Sequence, residues 1–399
     1  MRGLLGSESV RRAFRLFEES AAEFDSEHAA ICEVPAPPFG EEARAEFMRE
    51  KFLACGLAGA SIDAEGNCVA LRRGRSERPL LVVSAHLDTV FPAGTDCAVT
   101  RDALGRMRAP GVADDGCGLA ALVALARALD ECGIETEGSL LFVATVGEEG
   151  EGDLRGVRHL LTAGEWAGRV DAFISIDGPG LERITHAALA SRRYRVTCRG
   201  AGGHSWGDFG VPNPVHALGR AVARLAAYPA PKRPRTTFNV GRIEGGSGVN
   251  VIPREAHMDV DLRSESGVEL GRLDAFFRRA AREAAEDETY ARRPGAPPLE
   301  LEVKLIGDRP GGETSPEHSI VRLAAEATRA VGSRPYLDCS STDSNIAISR
   351  GIPAVTIGAG GTSGSTHTLE EWYDPTGRDL GLKRALTLAL GVAGLYAGG

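Results

Sequence analysis

Short apolar segments alternate with helical patterns over residues 1–180 of this 399-residue chain. The clearest apolar segments are residues 80–85, 139–146 and 171–176, and each has the length of one buried strand. A nearly continuous apolar face between the first two segments predicts a helix, which Gly133 would end. Because strands that alternate with helices form βαβ units, we expect a mostly parallel sheet with helices on both faces.

The pattern changes near residue 188. From there apolar and polar residues alternate one by one, which is typical of half-exposed antiparallel strands. Strand and helix patterns follow in the order β-α-β-β-α-β, the ferredoxin-like arrangement. The first pattern then resumes and includes a strand at residues 353–360. We therefore predict a discontinuous α/β domain of residues 1–189 and 312–399, with a ferredoxin-like α+β domain inserted at residues 190–311.

Charge and composition argue against several classes of partner. The formal net charge is −9 and there is no long basic run, so a nucleic acid or an anionic membrane surface is not expected to be a partner. No segment has the length and apolarity of a bilayer span or of a signal peptide. The eight cysteines are scattered without the paired spacing of a metal site, which is typical of reduced thiols. We therefore expect a cytoplasmic protein.

Polar residues follow the predicted strands at the point where each strand ends. They are His86 and Asp88, Glu148 and Glu149, Asp177 and, after the strand at 353–360, His367, with Asp114 and Asp115 opening the long helix. Because the carboxyl ends of parallel strands share the edge at which ligands bind, we expect these side chains to converge. Carboxylates gathered so closely repel one another unless a cation holds them. The sequence therefore predicts a metal site.

Each of these residues also has an ordinary structural explanation. His86 alone is more simply a hydrogen-bonded core histidine, and an aspartate pair at the start of a helix is a common N-cap. Paired glutamates in a glycine-flanked loop are typical of a solvated surface, and Asp177 before glycine is a usual turn residue. Taken singly, each residue favours the ordinary explanation. Their shared position favours the metal site, because surface turns have no reason to prefer one edge of a sheet.

Six segments carry a family resemblance. In chain order they are AHLDTVFP, GVADDGCG, TVGEEG, SIDG, GAGGHS and GTSGSTHTLEEWYD. They resemble the M20 family of zinc metallopeptidases, in the family's order, and the inserted domain lies where that family has its dimerisation domain, or lid. Members include di- and tripeptidases, carboxypeptidases and acylamino-acid deacylases, and the last segment is most similar to tripeptidase-like members. One departure is Gly116-Cys117, where the family often has lysine after the aspartate pair.

The resemblance implies a site for two zinc ions, although cobalt or manganese would also suit the ligands. His86 and Asp177 would bind one ion, Glu149 and His367 the other, and Asp114 would bridge both. Three protein ligands for each ion would leave a position for water on both.

Three further carboxylates have implied or expected roles beside the ions. Glu148 would be the general base for a hydroxide held between the two ions. Asp88 would accept the second N–H of His86 and fix the tautomer of that imidazole. Asp115 has no metal assigned to it, and we expect it to support the site or to cap the helix.

In the inserted domain, the resemblance implies roles for three residues. His204 would reach the active site of a neighbouring subunit, so a homodimer through the lid is expected; without the resemblance, His204 is a surface-loop histidine. Asn250 and Arg263 match lid positions that contact substrate, and arginine suits a carboxylate because its planar fork donates two hydrogen bonds. A structural salt bridge of Arg263 with Asp259 or Asp261 is the alternative.

Two glycines near the end of the last predicted strand, Gly358 and Gly360, are expected to let substrate backbone come close.

Cleavage of peptide bonds in small peptides is the predicted function, and an amidase or N-acyl-amino-acid deacylase with the same metal core is the nearest alternative. A non-catalytic metal-binding protein is a third possibility, against which Glu148 argues, because a site made only of ligands does not need that carboxylate. A nicotinamide-dependent oxidoreductase would rest on the glycine pattern of residues 116–121. That pattern follows two carboxylates, which would repel a pyrophosphate, so we reject it.

Overall fold

The chain divides into two compact units. The computed structural model describes residues 2–396, and side chains from residue 3 onward. One unit, called here the α/β unit, contains the chain up to Ala188 and from Glu313 onward, and the other, the inserted unit, is Leu189–Gly312. Residues 1 and 397–399, the two ends of the predicted α/β domain, lie outside the described residues.

The first part of the α/β unit contains α-helices together with short and long strands. The helices of its first part are α1 (Arg2–Gly6), α2 (Glu8–Glu19), α3 (Ala21–Cys32), α4 (Glu42–Ala54), α5 (Gly116–Glu131) and α6 (Arg155–Thr162). The strands of this part are β1 (Ser61–Ile62), β2 (Cys68–Arg72), β3 (Leu80–His86), β4 (Thr100–Arg101), β5 (Met107–Arg108), β6 (Ser139–Thr145), β7 (Ala172–Ile176) and β8 (Arg183–Ala188).

The inserted unit follows the predicted order of elements. They are β9 (Ala190–Arg199), β10 (Gly203–His204), α7 (Pro214–Ala226), β11 (Thr236–Gly245), β12 (Val251–Ile252), β13 (Glu255–Ser264), α8 (Gly267–Tyr290) and β14 (Glu300–Arg309). The long strands form an antiparallel sheet in the order β11-β13-β9-β14. Alternate residues of β13 are buried, and they pack with Leu218 of α7 and Phe277 of α8 in one core. The period-two pattern therefore forms the half-exposed sheet that it predicts.

The chain then returns to the α/β unit. The remaining elements are β15 (Gly312–Glu313), α9 (Ser319–Ala330), β16 (Tyr336–Ser340), α10 (Ser344–Ser349), β17 (Ala354–Ile357), β18 (Thr362–Gly364), β19 (Trp372–Asp374) and α11 (Arg378–Ala393). β18, β19, β5 and β4 form a small separate antiparallel sheet.

Among the described residues, the large sheet has nine strands and its centre is parallel. Its main path is β1-β2-β6-β3-β7-β17-β8-β15, and β16 pairs with β8. β3 is parallel to β6 and β7, and β17 is parallel to β7, whereas β2 and β8 join this centre in antiparallel fashion. The predicted fold class, a mostly parallel α/β sheet with helices on both faces, is confirmed.

Strand β3 explains why both faces carry helices. All seven of its residues are buried. Because side chains alternate along a strand, Leu81 and Val83 belong to the core that contains α3, α5 and α11, whereas Leu80 and Val82 belong to the core that contains α6 and α10. A continuous apolar segment is therefore required at the centre of the sheet.

Some elements differ from the sequence prediction. β17 is shorter than the predicted strand at 353–360. β16 and α10 were not predicted, because segments of five and six residues are too short to show a clear periodicity. Gly133 has a φ of +61° and ends α5, as expected. All eight cysteines are free thiols. No helix within residues 2–396 combines the length and apolarity needed to span a bilayer, and the cytoplasmic location stays a prediction.

Candidate metal centre

The central strands bring the predicted residues to one edge of the large sheet. β6, β3, β7 and β17 are neighbours and run parallel, so their carboxyl ends point to the edge at which ligands of open α/β sheets bind. His86 is the last residue of β3, Glu148 and Glu149 come shortly after β6, and Asp177 comes directly after β7. Asp114 lies immediately before the N-cap residue of α5.

Asp114 lies between the two histidines of the predicted site. Its Oδ1 atom is 2.9 Å from Nε2 of His86, and its Oδ2 atom is 3.0 Å from Nε2 of His367. Oε1 of Glu149 is 2.8 Å from the same Nε2 atom of His367. One carboxylate thus faces both imidazoles, through a different oxygen atom for each. This arrangement suits a carboxylate that bridges two ions.

One close group of three ligand atoms differs from the predicted division between two ions. Within the described part of the chain, ligand atoms of His86, Asp114 and Glu149 all lie within 4.8 Å of one another. The resemblance pairs His86 with Asp177 instead. Burial, and then the charge of Asp114, raise the pKa of Asp177 to about 6, so its carboxyl group lies in the same electrostatic environment. The assignment of Asp177 to one ion stays a prediction.

Imidazole and carboxylate groups of the centre stabilise each other's charged forms. The carboxylates of Asp114 and Glu149 raise the pKa of His367 to about 10. Burial lowers the pKa of His86, but hydrogen bonds and charges of the surrounding aspartates outweigh it and raise that pKa well above its ordinary value. Burial likewise opposes the charged form of Asp114, yet the two imidazoles hold its pKa below the ordinary value. Positive charge at this position is therefore what these carboxylates require.

The donor atoms fit divalent metal ions. Imidazole nitrogen and carboxylate oxygen are ligands that zinc, cobalt and manganese accept. Nδ1 of His86 lies 2.9 Å from the backbone oxygen of Asp88, which fixes that nitrogen as the N–H and turns Nε2 toward the centre. Each short contact between Nε2 and a carboxylate oxygen needs a proton or a metal cation between its two atoms, because both atoms otherwise carry lone pairs. A divalent ion would supply positive charge to the same nitrogen and oxygen atoms.

The predicted contact of Asp88 with His86 is wrong in one respect. The imidazole donates to the backbone oxygen of Asp88, whereas Oδ1 of its carboxylate is 3.7 Å from Nδ1. That carboxylate is fully buried and accepts the backbone N–H groups of Glu148 at 2.9 Å and of Glu149 at 2.8 Å. Oxygen atoms aimed at two successive N–H groups do not also reach the imidazole. Asp88 therefore orients the loop that carries the two glutamates.

Asp115 supports the centre, as expected. Its side chain caps α5 by accepting the N–H of Gly118 at 3.1 Å. It also accepts the backbone N–H groups of His86 at 3.2 Å and of Gly178 at 3.0 Å. The fully buried carboxyl group therefore ties together the ends of β3 and β7 and the start of α5.

Two buried carboxyl groups beside the centre were not predicted. Glu371 accepts the backbone N–H groups of Asp114 and His367. Asp343 accepts a hydrogen bond from Thr145 Oγ1 at 2.5 Å, and burial raises the pKa of Asp343 to about 6. The sequence signal available for Glu371 was its position, four residues after the predicted ligand His367. Asp343 lies in a polar run that no predicted strand precedes.

The predicted residues of the inserted unit are exposed or paired within that unit. His204 is exposed, and its Nδ1 accepts two backbone N–H groups of its own loop at 3.2 and 3.3 Å. Asn250 is exposed before β12. Nε of Arg263 donates to Asp261 at 2.6 Å, so the structural salt bridge is present, whereas Asp259 pairs with another arginine. Contacts of these residues with substrate stay predictions.

The protein's own packing explains why glycine occupies two positions just after β17. A Cβ atom on Gly358 would lie 2.2 Å from the backbone oxygen of Pro179. Gly360 has a φ of +85°, and a Cβ there would lie 2.9 Å from the backbone oxygen of Gly377. The protein's own backbone thus comes close to both glycines. The expected contacts of Gly358 and Gly360 with substrate backbone stay predictions.

Comparison with known proteins decides the family. Residues 82–389 match Peptidase family M20/M25/M40, over more than half of the chain. The chain belongs to this family. An M20 relative, succinyl-diaminopimelate desuccinylase of Nitrosococcus oceani, is 29% identical over 239 residues, which are 55% of this chain and 62% of that enzyme. The chain therefore spans less than two thirds of the length of this relative.

Solved structures share the M20 fold over nearly the whole chain. A tripeptidase of Staphylococcus aureus superposes with a TM-score of 0.75 at 22% identity, covering 94% of this chain and 98% of that protein. The YXEP protein of Bacillus subtilis, described as a dinuclear metal-binding peptidase of the M20 family, gives 0.69 at 18% identity, covering 94% and 99%. Membership of the M20 family makes this chain a hydrolase that acts on amide or peptide bonds.

Proposed function

We propose that this M20 hydrolase cleaves the peptide bond of small peptides with the help of two divalent metal ions, preferably zinc. His86 and Asp177 would hold one ion, Glu149 and His367 the other, and Asp114 both. The position of Asp114, whose two oxygen atoms separately face two imidazoles, carries this proposal. The description of the YXEP protein as dinuclear supports the number of ions.

Glu148 is the residue that we assign to proton transfer. When bound, the ions would supply Lewis acidity, which lowers the pKa of water and polarises the scissile carbonyl group. Glu148 is buried and adjoins Glu149, and its backbone N–H is held by Asp88. Its carboxylate would accept a proton from the attacking water and deliver it to the departing amine. Glu148 would thus be deprotonated again at the end of the catalytic cycle.

Small peptides are the preferred substrates, and N-acyl amino acids are the alternative. The segment GTSGSTHTLEEWYD and the structural likeness to a tripeptidase favour peptides. The 29% identity to a desuccinylase favours a deacylase. Both reactions break an amide bond at the same kind of centre, so the residues that hold the ions do not separate them.

A homodimer through the inserted unit is part of the proposal, with His204 of one subunit serving the site of the other. The exposed position of His204 is compatible with such a contact. We further propose a cytoplasmic enzyme without nucleic-acid or membrane partners, in keeping with its free thiols and its net charge of −9.

One assay tests the reaction and the substrate class together. The purified protein is freed of metal with a chelator, reloaded with Zn²⁺, Co²⁺ or Mn²⁺, and offered di- and tripeptides alongside N-succinyl and N-acetyl amino acids. We expect metal-dependent release of amino acids from peptides, with kcat/KM for tripeptides at least about tenfold above that for N-acyl amino acids. The reverse order would assign the enzyme to the deacylases. Failure to cleave any of these amides with any metal would contradict the proposal.

A further inference from the structure

Glu371 links the two segments that carry Asp114 and His367. It lies just before β19 and is 0% exposed. Its Oε1 atom accepts the backbone N–H groups of Ala113 at 2.8 Å and of Asp114 at 3.0 Å. Its Oε2 atom accepts those of Gly111 and His367, both at 3.3 Å. A single carboxylate therefore holds the backbone at two residues of the centre that are 253 positions apart.

Only a carboxylate satisfies this set of partners. The hydrogen bonds to Glu371 come from backbone N–H groups. Across residues 2–396, no lysine, arginine or histidine side chain forms an ion pair with Glu371. A glutamine of the same size offers one oxygen and one NH₂ group, so two of the four backbone donors would face another donor. Charge also strengthens the bonds to the carboxylate, relative to those that an amide oxygen accepts.

His367 depends on such an anchor more than His86 does. Its φ of +66° lies in the left-handed region, which residues other than glycine seldom adopt unless the surroundings hold them there. Its side chain is 49% exposed, so packing restrains it little. His86, in contrast, is the last residue of the fully buried strand β3, and its backbone N–H is bound by Asp115.

We propose that Glu371 is a positioning residue that sets the place of His367 relative to Asp114. Asp114 is also held by its neighbour Asp115, the N-cap residue of α5, whose carboxylate accepts three backbone N–H groups. Loss of the Glu371 carboxylate therefore displaces His367 first and Asp114 less. The consequence for metal rests on the proposed function: the ion that His367 and Glu149 would hold is weakened selectively, and the ion on the His86 side is largely kept.

The test compares Glu371→Gln with Glu27→Gln in the full chain. Glu27 is also a buried glutamate of the α/β unit, but it lies on α3, which carries none of the predicted ligands, and it pairs with Lys51 of α4 and Arg127 of α5. In Zn²⁺ titrations of the metal-free proteins, we expect Glu371→Gln to weaken one binding step by about 10–100-fold and the other by less than about threefold. Glu27→Gln is expected to change neither step, although it lowers Tm.

Crystal structures of the metal-free proteins give a readout that does not depend on turnover. The distance between His367 Nε2 and Asp114 Oδ2, 3.0 Å here, is expected to exceed hydrogen-bonding range in Glu371→Gln and to stay unchanged in Glu27→Gln. Glu371→Asp keeps two acceptor oxygens on a shorter side chain. It should retain the second ion better than Glu371→Gln does.

Three results would overturn the proposal: an unchanged distance in Glu371→Gln, equal weakening of both binding steps, or equal losses in Glu371→Asp and Glu371→Gln. If the wild-type protein binds no pair of ions and cleaves no amide, the proposed function fails instead. The crystallographic distance then still decides whether Glu371 positions His367. Should Glu371→Gln not fold, Glu371→Asp supplies the same measurements against the wild type, because its shorter side chain is still expected to lengthen the distance and to weaken the second binding step. If Glu371→Asp leaves both the distance and the titration unchanged, the proposal is rejected.

Discussion

Oδ1 of Asp88 accepts the backbone N–H of Glu148 at 2.9 Å, and so the residue two positions after a predicted metal ligand holds the predicted general base. The second oxygen of the same carboxylate accepts the next N–H, that of Glu149. The strand that supplies His86 is thereby connected to the loop that supplies the proton-transfer group. This connection explains why a carboxylate is buried beside a centre that already contains several others.

Asp88→Asn is expected to loosen that loop. An NH₂ group would face one of the two backbone N–H donors, so we expect kcat/KM to fall by about 10–100-fold, as for other residues that orient metal ligands. The measurement is steady-state kinetics at saturating metal. Asp102→Asn is the matched control, because Asp102 also accepts backbone N–H groups but lies in the β4–β5 hairpin. Equal losses in both variants would contradict a specific role for Asp88.

Glu148→Gln is expected to keep the metal ions and to remove turnover. The amide cannot accept a proton from water at neutral pH, and general bases contribute about 10²–10⁴-fold to rates. Metal content by mass spectrometry and kcat are measured on the same sample. Glu151→Gln, an exposed neighbour in the same loop, should leave both unchanged. Normal turnover of Glu148→Gln would show that another group transfers the proton.

Asp114→Asn and His367→Gln are expected to differ in how many ions they affect. Because Asp114 faces both imidazoles and His367 lies against only Asp114 and Glu149, loss of the Asp114 charge should weaken both binding steps, and loss of the His367 imidazole only one. Calorimetric titration with Zn²⁺ separates the two steps. Retention of both steps in Asp114→Asn would argue against a bridging carboxylate.

Gly358→Ala is expected to destabilise the α/β unit by about 1–3 kcal/mol, the usual cost of overpacking. The added Cβ would lie 2.2 Å from a backbone oxygen, which no side-chain movement relieves. Thermal and urea unfolding measure the change. Gly59→Ala is the control in the same unit, because a Cβ there meets no atom within 4 Å. Equal stability of the two variants would mean that the Pro179 backbone yields easily.

His28 is expected to make stability depend on pH. Burial, followed by the charge of Arg378, lowers the pKa of His28 to about 3, against an ordinary value of 6.5. The unfolded chain therefore binds a proton that the folded protein does not, and the contribution of neutral His28 is present above pH 6.5 and lost as the pH falls toward 3. For one such group, the free energy of unfolding should fall by about 2 kcal/mol between about pH 7.5 and about pH 5.

The matched variant for this prediction is His28→Gln, whose amide still donates to the backbone oxygen of Val112 but does not titrate. Urea unfolding at both pH values is compared with that of the wild type. A pH dependence that is identical in the two proteins would exclude His28 as its source.

Periodicity and strand order accounted for much of the fold and for the convergence of the site. The apolar segment at residues 80–85 becomes a strand buried on both faces, and parallel neighbours then require His86, Glu149 and Asp177 to emerge at one edge. The antiparallel sheet of the inserted unit was likewise predicted from its period-two pattern. These features depend on the spacing of apolar and polar residues along the chain, which can be read directly from the sequence.

The partners of each polar atom depended on contacts between distant segments. Whether the carboxylate of Asp88 reaches an imidazole or two backbone N–H groups is a matter of less than 1 Å between β3 and the loop after β6. Glu371 acquires its role only because the chain returns, 257 residues after Asp114, to the start of α5. Hydrogen bonds are short and directional, so no periodicity in the sequence specifies them. The sequence was therefore enough to predict which residues converge in the candidate centre. Only the packing of the folded chain decided which carboxylates face the histidines and which bind the backbone around them.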